Sequence, residues 1–142
     1  MAQNNHLLRK LHLWWGGIGL VLFLLSGQYM ARVLEVGDMA DLQRMKYRSA
    51  HIYLLLVWGL NVVAGYYMGE RHLTRLERLM SLVLLGAPLA LGATFILESG
   101  TAEVDRPYTL LFLLMTFLVL AQMISSSLFR WWRDKRAQEQ SP

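Results

Sequence analysis

Four stretches of this chain carry no charged residue over about twenty positions each. They are residues 11–31, 49–69, 79–97 and 107–129, or 21, 21, 19 and 23 residues. An α-helix rises about 1.5 Å per residue, so a run of about 20 crosses the ~30 Å hydrocarbon layer of a bilayer. A water-soluble helix of that length would show charge on one face every third or fourth residue. None of the four runs does. The sequence therefore predicts an all-α integral membrane protein, with residues 1–142 forming a single transmembrane domain of four spans. The apolar part of the first run is too long for a cleaved leader, and Ser26-Gly27-Gln28-Tyr29 is a poor small-x-small cleavage site, so it is expected to remain as a helix. No lipidation motif is present.

Charge sets the expected orientation. Lysine and arginine collect on the cytoplasmic side of membrane proteins. With the N-terminus inside, the inner segments hold Arg9, Lys10, Arg71, Arg75, Arg78, Arg130, Arg133, Lys135 and Arg136, and the outer segments Arg32, Arg44, Lys46, Arg48 and Arg106. Nine bases against five place both termini in the cytoplasm of a bacterial inner membrane. The formal net charge of +4 follows from this asymmetry and needs no nucleic-acid partner. Aromatic side chains favour the interfaces, with Trp14, Trp15, Tyr66, Tyr67, Trp131 and Trp132 on the inner side and Tyr29, Tyr47, Tyr53 and Tyr108 on the outer. The basic stretch 130–136 is expected to lie against anionic headgroups. Short loops between the second and third and between the third and fourth runs predict antiparallel neighbours, hence an up-down-up-down bundle, N-in and C-in. Residues 40–47 are expected to form a short interfacial helix of their own.

Lipid gives helices no hydrophobic reason to associate, so small residues that permit close approach matter. Gly16, Gly17, Gly19 and Gly27 offer such a face on the first helix, and Gly86, Ala87, Ala90, Gly92 and Ala93 on the third. Polar groups at depth need partners. Pro88 lacks an N–H and leaves the carbonyl of Leu84 without its helical partner. Asn61, Gln122 and that carbonyl share a depth a few ångströms to the inner side of the midplane, which predicts a buried polar knot that holds helices together. Neutral amides cannot carry protons by titrating.

A second polar set falls at the outer ends: Gln28, His51, Tyr53, Thr94 and Thr109, ringed by Arg32, Arg48, Glu98 and Arg106. It reads as a hydrogen-bonded cap on the bundle. As a candidate ligand site it would use Gln28, Arg32, Arg48, His51, Tyr53, Glu98 and Arg106 to hold an anionic headgroup, a quinone oxygen or a proton.

Catalytic motifs are not found, so no enzyme activity is read. The chain has no cysteine, which removes disulfides and thiolate metal sites. The methionines form no Met-x-Met or Met-x-x-Met cluster for copper, and four scattered histidines give no zinc set. Haem b needs axial ligands at matching depth on different helices. His51 stands alone on the outer side (Met30 matches it in depth), while His12 and His72 fall at the inner rim. No cofactor is assigned, and haem b is the alternative kept.

The start Leu8-Arg-Lys-Leu-His-Leu-Trp-Trp-Gly-Gly, with a span ending Ser26-Gly27, resembles the first membrane helix of the PepSY-associated transmembrane proteins. That likeness covers about a fifth of the chain, and no large periplasmic domain follows it. As a whole the chain is similar to small four-span inner-membrane proteins of Gram-negative bacteria. The shared features are Arg48-Ser-Ala-His-Ile-Tyr53 opening the second span, Asn61 and Gly65 within it, Pro88 and Glu98 in the third, and Arg106-Pro107 before the fourth. This similarity implies a membrane location and no particular activity. The functional expectation is a non-enzymatic accessory or assembly subunit acting through helix contacts with another membrane protein or with itself. The alternative is a small-ligand, lipid or quinone binder using the outer cluster.

Overall fold

The computed structural model describes residues 2–68, 73–99 and 105–139. They form four helices, α1 (Ala2–Arg32), α2 (Asp41–Met68), α3 (Arg75–Ser99) and α4 (Pro107–Glu139). Each contains a segment long and apolar enough to cross a membrane: His6–Arg32, Asp41–Met68, Arg75–Glu98 and Pro107–Arg133. Large apolar side chains such as Leu22, Val63, Leu89 and Leu118 are exposed along all four. In water so much apolar surface would drive association; a lipid environment satisfies it.

Each helix extends past its uncharged run at one end or both. α2 begins at Asp41 and continues unbroken, so residues 41–47 belong to that helix and not to a separate interfacial one. A short 3-10 turn, Val36–Asp38, precedes it. Glu35 enters that turn in the left-handed region, at φ 46°, a conformation an L-residue adopts at a cost of about 1 kcal/mol. α4 runs on through the basic stretch to Glu139. At the start of α3, Thr74 and Glu77 form a capping box. The Thr74 N–H donates to Glu77 Oε2 (2.8 Å) and the Glu77 N–H to Thr74 Oγ1 (3.2 Å), each satisfying a donor that the first helical turn leaves open.

The buried faces follow helical spacing. On α3 it is Glu77, Ser81, Leu84, Leu91, Thr94 and Glu98; on α2, Ala50, Val57, Asn61, Ala64 and Met68. Helices adjacent in sequence pack on each other, and α1 also touches α3. One apolar cluster joins Ala64 and Met68 of α2 to Leu84 of α3 and to Val119 and Met123 of α4, with Leu8 of α1 against it. A second joins Val57, Ala87 and Leu91, with Phe112 and Leu113 packed on it.

The α1–α2 seam is set by glycines. A Cβ on Gly19 would fall 1.8 Å from the Trp58 ring, and one on Gly16 2.6 Å from Val62 Cγ2. The Trp58 indole fills the notch at Gly19 and meets Trp15 edge-on, ring centroids 5.1 Å apart. Gly65 on α2 answers with Leu13 and His12 equally close. Gly17 on α1 and Gly86 and Gly92 on α3 have no described neighbour within 4 Å of such a Cβ.

Candidate functional site

Among the described residues, three groups of polar side chains stand out within the bundle: a knot at depth and one cluster near each end of α3.

The knot centres on Asn61, wholly buried. Its amide nitrogen donates to the carbonyl of Val57 on its own helix (2.9 Å) and to that of Leu84 on α3 (3.0 Å). The second acceptor is the carbonyl that Pro88 deprives of its helical N–H. The indole N–H of Trp15 donates to the next one, Leu85 (2.9 Å), so both carbonyls beside the proline are served from neighbouring helices. With both amide hydrogens spent, Asn61 Oδ1 is an acceptor. The His12 Nδ1–H donates to it at 2.8 Å. His12 Nε2 is then free to accept from the Ser81 hydroxyl at 2.7 Å. Three helices are thus joined through a neutral imidazole, an amide and a hydroxyl, every polar atom paired and no charge buried. Such pairing is what hydrocarbon demands.

Two features of the knot differ from the sequence expectation. Gln122 is exposed on α4. It has the right depth but lies one residue off the buried line of Thr109, Thr116, Val119 and Met123, about 100° around the helix. Its place is taken by His12 and Ser81. His12, expected at the rim, is fully buried. It shares the face of Gly16 and Gly19, at i, i+4 and i+7, and that shared stripe was the available signal.

The cluster at the far end of α3 is built on Glu98, also buried. Oε1 accepts from the backbone N–H groups of Tyr108 (2.8 Å) and Thr109 (3.2 Å), and Oε2 from the Thr109 hydroxyl (2.5 Å). A carboxylate in the last turn of its own helix faces the wrong end of that dipole, but here it caps the N-terminus of α4, where negative charge is favoured. Thr94 and Thr109 hydroxyls lie 3.2 Å apart beneath it. Arg106 Nη1 donates to Ser49 Oγ on α2 (2.6 Å), and its Nε stands 3.9 Å from Glu98 Oε2.

Of the other residues expected here, Tyr53 lines an open cleft beside Arg106 and Thr109. His51 turns to α1: its ring stacks on Phe23 (centroids 3.9 Å), Nδ1 lies 3.3 Å from Ser26 Oγ, and Nε2 would be 3.2 Å from a Cβ on Gly27. Gln28, Arg32 and Arg48 are exposed. The structure therefore gathers Glu98, Arg106 and Tyr53, and places His51 in a separate setting between α1 and α2.

The third cluster, unforeseen from sequence, sits at the start of α3. The buried carboxylate of Glu77 accepts from the Ser126 hydroxyl (3.0 Å) and pairs with Arg130 Nη2 (2.5 Å), both on α4. The capping-box spacing Thr74-x-x-Glu77 was visible in the sequence; the partners on α4 were not. Arg130 accordingly leaves the basic stretch that was expected to face headgroups. Further along α4, Arg136 lies over the Trp132 ring at 3.5 Å.

As to metals, no group of three or more His, Asp or Glu side chains converges among the described residues. His72 lies outside them. Both nitrogens of His12 are engaged in the knot, so that ring can serve as an axial ligand only by breaking it. Comparison with family models, with curated proteins and with solved structures finds no match to this chain.

Proposed function

We propose that this is a non-enzymatic, multi-pass protein of a bacterial inner membrane, an accessory or assembly subunit that works by binding another membrane protein, or itself, along its helices. The observation that carries this reading is the division of labour among its side chains. The buried polar groups of the knot, His12, Asn61 and Ser81, are spent on one another, while large apolar side chains face outward along all four helices. An exposed position with room for a second helix to approach closely is Gly86 on α3, where an added Cβ would meet no described atom within 4 Å. Helices that associate in lipid do so through such small residues.

The excess of Lys and Arg on one side supports cytoplasmic termini, and with them an up-down-up-down course. The contacts of α1 fit that course: its early part meets the late part of α2 through His12 and Asn61, and its late part meets the early part of α2 through Ser26 and His51.

The test is purification in mild detergent with an intact-complex mass and an absorption spectrum. A stoichiometric partner or a defined oligomer, lost on Gly86→Leu with the monomer still folded, is the expected result. A monomer alone, or a Soret band, would overturn the accessory reading, the second in favour of haem. A periplasm-dependent reporter fused after Gln140 should be inactive; activity there would reverse the orientation.

A further inference from the structure

The open cleft beside Arg106, about 420 Å³, has a lining that changes from charged to apolar along α4. At its mouth are Asp105 and Arg106, then Tyr53 and Thr109, and beyond them Leu110 and Leu113. At a helical rise of about 1.5 Å per residue the two leucines lie roughly 6 and 10 Å further along the helix than Arg106. The cleft thus has a polar mouth where α4 begins and an apolar floor that extends toward the middle of the bundle.

Arg106 is incompletely bonded. Nη1 donates to Ser49, whereas Nε and Nη2 are buried with no hydrogen-bond partner among the described residues. Glu98 does not fill the gap: at 3.9 Å from Nε it is beyond hydrogen-bond range, and it already accepts from two backbone N–H groups and a hydroxyl. A guanidinium N–H withdrawn from water needs an acceptor, and the acceptor that best fits its planar fork is a phosphate or carboxylate. A plain anion fits the mouth poorly, since the exposed carboxylate of Asp105 stands there as well. A zwitterion fits both charges.

We propose that this cleft binds a phospholipid with an ammonium headgroup, its phosphate accepting from Arg106, its ammonium beside Asp105, and an acyl chain along Leu110 and Leu113. Ethanolamine suits the site better than choline because its nitrogen carries hydrogens to donate to the Asp105 carboxylate. Asp105 also discriminates by repulsion: it disfavours phosphatidylglycerol, whose head brings no positive charge. The proposal rests on the chain lying in a membrane and not on its docking a partner, so loss of one leaves the other standing.

The experiment is native mass spectrometry of the full chain released from detergent, titrated with equal amounts of phosphatidylethanolamine, phosphatidylglycerol and phosphatidylcholine of one acyl composition. The wild-type chain should retain the ethanolamine lipid several-fold over the other two. Arg106→Gln should lower that retention about tenfold. Asp105→Asn should raise phosphatidylglycerol to the level of phosphatidylethanolamine. Should Arg106→Gln fail to fold, Leu110→Trp decides: it fills the apolar floor from an exposed position, leaves the Arg106–Ser49 bond in place, and should lower retention of all three lipids. Equal retention by the wild-type chain and Leu110→Trp would show only lipid of the surrounding belt and overturn the proposal. So would a preference for phosphatidylglycerol in the wild-type chain, or a bound quinone lost with Arg106→Gln.

Discussion

The two outer helix pairs of this molecule are held by opposite means. Between α1 and α2 the backbones meet closely, with Trp58 seated at Gly19 and Val62 against Gly16, and the polar link at depth is the uncharged one from His12 to Asn61. Between α3 and α4 the middle is apolar, Ala87 and Leu91 with Phe112 and Leu113 beside them, and the polar links stand at the ends. There Glu77 meets Ser126 and Arg130, and Glu98 meets Thr109. The difference follows from what hydrocarbon tolerates. A carboxylate costs far more at the centre of a bilayer than near its edges, so charged links can hold a pair of helices only at the ends. A link at depth must be neutral and fully paired, and to be short it needs glycines that let the helices approach.

The largest effect should come from breaking the close seam. Gly19→Leu puts a side chain where the Trp58 ring lies, and that ring is rigid and walled in by α1 and α2. We expect a loss of about 3 kcal/mol, the upper part of the range for overpacked sites, read as a lower midpoint of unfolding in mixed micelles of rising dodecyl sulfate content. Gly17→Leu, one position away and facing open space, should be nearly neutral. Equal losses at both would mean that the seam is not what α1 depends on.

Next is the knot. Asn61→Leu leaves the His12 Nδ1–H and the Leu84 carbonyl without partners, and should cost about 2 kcal/mol by the penalty for stranded buried groups. The informative variant is Asn61→Leu with His12→Leu. If the two residues are bonded as the distances say, removing both should recover part of the loss, because one stranded donor has gone. Strict additivity of the two single losses would argue against the bond.

These effects bear on what could be read from sequence. Depth in the membrane is legible, since it needs only a count of residues from the end of an uncharged run. It places Asn61 near the carbonyl that Pro88 frees, and it places Thr94 near Thr109. Azimuth is not read as easily, because one residue of error turns a side chain by about 100°. Gln122 therefore has the depth of the knot and faces outward, while His12 and Ser81 occupy the positions around Asn61. The four helices were legible from charge alone, but their ends were not. Helices do not stop at the membrane surface, and α4 carries on to Glu139 through residues whose charge had suggested a surface stretch. Nor does sequence tell which of several small-residue positions will be used. Gly16 and Gly19 are filled by α2, and Gly17 is not.

On α3 and α4 the expected effects are smaller. Arg130→Gln removes the charged partner of Glu77 but leaves the carboxylate its bonds to Thr74 and Ser126. A loss of about 1.5 kcal/mol is expected, the low end for a hydrogen bond to a charged group. A neutral outcome in the same unfolding titration would mean that the capping box and Ser126 suffice for the carboxylate.

The smallest effect separates the two ways of holding helices most cleanly. Thr109→Val keeps the shape of the side chain and removes only its hydroxyl, which bonds Glu98 Oε2 at 2.5 Å and lies 3.2 Å from that of Thr94. Glu98 still accepts from the Tyr108 and Thr109 N–H groups, so the cap on α4 survives. The expected loss is about 0.6 kcal/mol, typical of a side-chain hydrogen bond within a membrane bundle. Amide exchange at Tyr108 and Thr109 should stay slow. A loss of 2 kcal/mol or more, with fast exchange at those two amides, would mean that the hydroxyl itself holds the carboxylate against the end of α4. The α3–α4 pair would then depend on a buried hydrogen bond as the α1–α2 pair does, and the contrast between the two seams would narrow to their glycines.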